Sequence, residues 1–119
     1  MVRIYKSSDV PLIEGGGYSR KYNADIEFKV PLDSAGFIQV FIPEHTKTQP
    51  HAHTKLEEVF VIMNRSKMGV GIQIFELEKG DIIVVEPGEA HWFETYPDQP
   101  LEVIAIKCPN LEGDKVVPE

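Results

Sequence analysis

The sequence predicts an all-β chain folded as a sandwich or barrel. Two observations carry this. No stretch of eleven or more residues repeats apolar side chains at helical spacing. Short runs that alternate apolar and polar residues, or are apolar throughout, recur instead between turns rich in Gly, Pro and Asn.

Taken in order, Val2–Lys6 alternates and reads as an edge strand. The loop after it contains Gly15-Gly16-Gly17, where no Lys or Ser/Thr follows at phosphate-loop spacing, so a flexible turn is expected. Tyr18–Asp25 adds a small basic and aromatic cluster expected at the surface. Ile26–Val30 alternates strictly and reads as a half-buried strand, joined through the Pro31–Gly36 turn to an antiparallel neighbour, Phe37–Ile42. Pro43–Gln49 is a loop containing His45. Strands are then expected over Glu58–Met63, Gly69–Glu76, Ile82–Val85, His91–Thr95 and Leu101–Lys107. Within Gly69–Glu76, Ile72 and Ile74 would share one face. Pro109–Glu119 reads as a polar tail.

At 119 residues the chain fits one domain, 1–119, and its 42% hydrophobic content suffices for one modest core. Twelve basic against nineteen acidic residues give a net charge of −7, which argues against nucleic-acid binding and against an anionic membrane surface. Cys108 is the only cysteine, so it forms no internal disulfide; its place after an apolar run predicts a buried thiol. The first residues lack the apolar core of a signal peptide and no run of about 18 apolar residues spans a membrane. A cytoplasmic protein is expected.

The chemistry concentrates in Pro50-His51-Ala52-His53-Thr54-Lys55-Leu56-Glu57-Glu58. On a strand, His51 and His53 project to one side while Ala52 turns away, so two imidazoles reach one ion. A third ligand would come from the next strand, where Glu57 and Glu58 face opposite ways and one of them faces inward. His91 lies 38 positions beyond His53, after an apolar strand and a Pro-Gly turn, and is the candidate for a fourth. Imidazole with carboxylate suits a divalent transition-metal ion (Fe, Mn, Ni, Zn or Cu), and no thiol is near to make a structural zinc site.

These stretches resemble the two sequence motifs of the cupin superfamily. In its first motif a His-x-His pair precedes a glutamate just ahead of an aromatic-containing strand, which falls on His51, His53 and Glu58. In its second, a glycine, an acidic residue, an apolar strand, a turn and a histidine follow, matching Gly80, Asp81, Gly88 and His91. The resemblance spans residues 43–95 and implies a double-stranded β-helix, or jelly-roll barrel, with one metal ion on those four ligands. The chain departs from the pattern at structural positions: His45 and Arg65 stand where the first motif has glycines, Glu86 where the second has proline, and Thr95 at its closing asparagine.

The cupin resemblance implies a metal-dependent enzyme acting on a small oxygen-rich molecule, of dioxygenase, decarboxylase or sugar-isomerase type; the alternative is a metal-dependent ligand-binding or sensor module without turnover. It also implies a homodimer, for which Val2–Tyr5 and Leu101–Ile106 offer apolar strand surface. By alternation Glu57 turns away from Glu58 toward the surface, Glu89 is an exposed turn carboxylate, and Trp92 points away from His91 to cover the sheet exterior or an oligomer contact.

Overall fold

In the computed structural model, which describes residues 1–117, two sheets face each other across one apolar core. The larger sheet is built from β1 (Arg3–Tyr5), β4 (Gly36–Ile42), β6 (Glu57–Ile62), β9 (Ile82–Val85) and β11 (Leu101–Cys108), in the order β1-β9-β6-β11-β4 with every neighbouring pair antiparallel. The facing sheet has β7 (Ser66–Val70), β8 (Gln73–Leu77) and β10 (His91–Glu94), in the order β10-β7-β8. Two small pairs complete the fold: β2 (Ile13–Gly15) with β3 (Tyr18–Arg20), and β5 (Ala52–His53) with β12 (Lys115–Val116). A bridge between His51 and His91 ties the start of β5 to β10 and so extends the second sheet. Among the described residues the only helix is a 3-10 turn at Ser7–Asp9, and none is long and apolar enough to cross a membrane.

The period of two decides what the core contains. Phe60 and Ile62, Ile83 and Val85, and Leu101, Val103 and Ala105 are alternate residues of three adjacent strands, and all seven are buried against Met68, Val70, Leu77 and Phe93 of the facing sheet. The opposite face of the larger sheet carries a second cluster of Val59, Val84 and Cys108.

That second cluster explains the largest departure from expectation. Ile26–Val30 forms no strand and does not pair with Phe37–Ile42; β4 pairs with β11 instead. The alternation is real, since Ile26, Phe28 and Val30 are half-buried and Glu27 and Lys29 are exposed, but the segment lies across the outer face of the sheet. Glu57 holds it there. Expected at the surface, this side chain is fully buried: its Oε1 accepts from the Lys29 amide at 2.7 Å and its Oε2 pairs with Arg3 Nη2 at 2.9 Å. Arg3 also donates to the Glu27 carbonyl at 2.8 Å.

Three smaller corrections have local causes. Gly69–Glu76 is not one strand but the hairpin β7–β8, in which Val70 faces Gln73 across the two-residue loop Gly71-Ile72. Gly71 adopts φ 62°, the conformation that such a turn needs at its first position, and Ile72 at the tip is fully exposed rather than sharing a strand face with Ile74. The Gly-rich turn joins two short strands, β2 and β3, instead of lying in a plain loop. The polar tail contributes β12, while residues 118–119 lie outside those described. His45, at a position where the first motif has glycine, takes φ 53°, so the backbone there still adopts the left-handed conformation that glycine favours.

Candidate metal centre

Four elements deliver the site. His51 and His91 are joined by a reciprocal backbone pair, His51 N to His91 O at 3.1 Å and His91 N to His51 O at 2.9 Å, which sets their rings 4.4 Å apart. Two residues on, His53 is fixed by β12 on one side and by the Gly88 amide donating to its carbonyl at 2.7 Å. Glu58 comes from β6, across the barrel interior from these three. The structure thus brings together all four side chains that the motifs single out, with donor atoms within 4.8 Å of one another. His53, Glu58 and His91 are buried and His51 is half-buried. His45 is exposed and outside the group.

The electrostatics suit a cation. Burial, together with the neighbouring His91 and Lys115, pushes the His51 ring down from 6.5 to about 4, so it presents a lone pair at neutral pH. Burial alone would raise the Glu58 carboxyl, but hydrogen bonds from His53 and His91 and the charges of those rings outweigh it and hold the group at about 2. Glu58 Oε1 lies 3.0 Å from His53 Nε2 and 3.1 Å from His91 Nε2. The His91 tautomer is constrained from outside the group: Nδ1 is 3.0 Å from the Glu89 carbonyl oxygen, a contact made by an N–H. Nε2 is then the ring atom that meets Glu58: it donates to the carboxylate while it carries a proton, and with that proton removed it presents a lone pair. Three imidazoles and one carboxylate are a donor set that fits a divalent ion in the proton's place. The same Nδ1–H contact orients His91 as a backbone partner orients a metal ligand.

Of the side chains flanking these four, Glu89 departs from expectation and Trp92 does not. Glu89 reaches His91 through its backbone, while its half-buried carboxylate accepts from the Val2 and Glu86 amides at 3.0 Å and 2.8 Å. Trp92 does point away from His91 and covers Gly69, where an added Cβ would collide with the indole. Thr95, at the family's asparagine position, secures the loop leading to His51: its hydroxyl donates to the Pro43 carbonyl at 2.7 Å and accepts from the Thr46 amide at 2.8 Å.

Asp114 escaped the sequence reading because it sits in what looked like a tail. It is buried, and its carboxylate accepts from the Thr54 hydroxyl and from the amides of Lys55 and Leu56 at 3.0 Å and 3.1 Å, bracing the loop between His53 and Glu58. Burial alone would raise this carboxyl; the Thr54 hydroxyl and the amides of residues 54–56 outweigh it and hold it at about 2, below its ordinary 3.8. Asp114 therefore stabilises the fold fully above about pH 4, and that contribution is lost as pH falls toward about 2. Asp114→Asn should lower the melting temperature at neutral pH and flatten its fall between about pH 5 and pH 2; parallel melting curves for the two proteins would show the assignment to be wrong.

Beside the four side chains opens a cavity of about 400 Å³, walled by Ile38, Val40, Ile42, Phe60, Phe93 and Ala105. A groove of about 560 Å³ at Phe41, Asn64 and Pro100 is larger, but it contains none of the four and no comparable donor cluster.

Residues 37–107, more than half of the chain, match the family described as "Cupin domain". Over 72 residues the chain is 31% identical to an uncharacterized protein of Methanocaldococcus jannaschii, covering 60% of this chain and 58% of that protein. Among solved structures, the DMSP lyase DddQ from Ruegeria pomeroyi is similar with a TM-score of 0.64 and 25% identity, over 71% of this chain and 43% of that one. A cupin protein from Bacteroides fragilis is similar with a TM-score of 0.61 and 20% identity, over 82% of this chain and 98% of that one. The chain thus spans under two thirds of the curated relative and under half of the lyase. With more than half its length matched and a double-stranded β-helix around the site, the chain belongs to the cupin family.

Proposed function

We propose that the chain holds one divalent transition-metal ion on His51, His53, Glu58 and His91 and acts as an enzyme on a small oxygen-bearing molecule in the adjoining cavity. The observation that carries this reading is the convergence of the four donors within 4.8 Å beside a cavity large enough for such a molecule. When bound, the ion would supply Lewis acidity toward a ligand oxygen. The protein's part is to keep His51 neutral and Glu58 ionised beside a cavity whose wall is apolar along Ile38, Val40, Ile42, Phe60, Phe93 and Ala105, so that a ligand is oriented and shielded from water. Similarity to a DMSP lyase supports turnover on a small molecule. The test is to purify the chain without a metal-binding tag, load it with iron or manganese anaerobically, and screen small dihydroxy, keto and carboxylate compounds with and without oxygen. Turnover in either arm is the expected result; tight binding without turnover in both would replace the enzyme by a sensor.

We also propose a homodimer, and place its contact on β4 rather than on the apolar surfaces of Val2–Tyr5 and Leu101–Ile106. β11 lies inside the sheet, between β6 and β4; β1 and β4 both end it, but β1 is half-buried whereas β4 presents Phe37 and Phe41 respectively 72% and 68% exposed. Light scattering at micromolar concentration should give twice the 13.4 kDa chain mass, and Phe41→Lys should give the monomer. A wild-type monomer would remove this contact. The buried, free Cys108 supports a reducing, cytoplasmic setting.

A further inference from the structure

We propose that the cavity selects a small carboxylate, through Lys107 and Lys115. This inference rests on the metal reading above and names the ligand class of that site. Strand register locates both lysines. Lys107 is paired with Glu58 across β11 and β6, and Lys115 with His53 across β12 and β5. Residues directly opposite each other on antiparallel strands project to the same side. Each lysine therefore leaves its backbone on the face that carries a member of the metal group, and both line the cavity with His51, His53 and Glu58.

Lys107 breaks a pattern in doing so. The inward positions of β11 run Leu101, Val103, Ala105 and then Lys107, three buried apolar residues followed by a half-buried ammonium. A lysine in such a place ordinarily has an acidic partner. Arg3, Lys6 and Lys29 each have one, in Glu57, Asp81 and Glu86. Among the described residues, neither Lys107 nor Lys115 forms an ion pair.

Charge then selects the ligand. A divalent ion balanced by the single carboxylate of Glu58, with two ammonium groups beside it, makes the cavity positive inside a chain of net charge −7. A neutral sugar or diol would leave both lysines uncompensated. A short carboxylic acid with a second oxygen donor would offset them while offering that donor to the ion, and its carbon chain would meet Ile38, Val40, Phe60 and Phe93. The cavity lining contains no arginine, the residue best shaped to clamp a phosphate.

Calorimetric titration of the metal-loaded chain with malonate, malonamide and methyl phosphate tests this, with metal content measured on each sample. Malonate should bind, with malonamide and methyl phosphate each at least about tenfold weaker. Lys107→Met should keep its metal and its weak malonamide binding but lose about tenfold in malonate affinity, with Lys107→Arg recovering part of the loss. Should Lys107→Met fail to fold, Lys115→Met, on an exposed two-residue strand, carries the same expectation. Metal-loaded wild type that binds malonamide or methyl phosphate as well as malonate, or a lysine variant with unchanged malonate affinity, would overturn the carboxylate inference while leaving the metal site standing. Wild type that takes up no metal would overturn the metal reading and this inference with it.

Discussion

Glu58→Gln should fold and lose its metal. Glu58 is the only anion among the four donors, and its oxygen lies within 3.1 Å of two imidazole nitrogens. Glutamine keeps the volume and removes the charge that offsets the ion, so affinity should fall by about a hundredfold or more, beyond what loss of an outer hydrogen-bonding partner causes. Glu57→Gln is the matched control, since Glu57 faces the opposite side of the same strand and touches Arg3 and the Lys29 amide. Metal content of the two purified variants separates them: near zero for Glu58→Gln, close to wild type for Glu57→Gln. The reverse would move the strand register by one residue.

Glu57→Ala, by contrast, should cost stability while leaving the metal in place. The carboxylate is fully buried and serves both Arg3 and the Lys29 amide, so truncation leaves a buried donor unsatisfied and a guanidinium unpaired. Breaking a wholly buried pair typically costs about 3–5 kcal/mol. Arg3 is 26% exposed and regains some water, which brings the expected loss to about 2–3 kcal/mol and a melting temperature lower by about 10 °C. The loss should also appear as proteolytic sensitivity in residues 20–35, the segment that Glu57 clamps to the sheet. Unchanged melting of metal-free Glu57→Ala would show that this clamp is not what holds the segment.

These two glutamates mark the limit of what the chain discloses before it folds. Alternation correctly put them on opposite faces but left open which one turns inward; the resemblance to the first cupin motif singled out Glu58, and the structure sets it beside the histidines. Alternation could not tell that the other face is also covered, because a sheet face is wet or dry according to what chain crosses it. The same limit governs Ile26–Val30, whose alternation is that of a strand although its polar contacts go to Glu57 and Arg3 rather than to a strand ladder. The four clustered positions were legible because His-x-His and the turn before His91 are local patterns. Asp114, Lys107 and Lys115 were not, since each matters through a residue about 50 to 60 positions away, brought close only by strand pairing. Gly71 did offer a local signal, a glycine between two apolar β-runs, and it marks the hairpin that a single strand over Gly69–Glu76 misses.

X-ray absorption on the metal-loaded wild-type chain tests the central claim most directly. The account predicts one ion per chain, with three imidazole nitrogens and one carboxylate oxygen supplied by the protein and the remaining positions filled by light oxygen donors. A first shell without imidazole, or two or more equivalents of tightly held metal per chain, would contradict it.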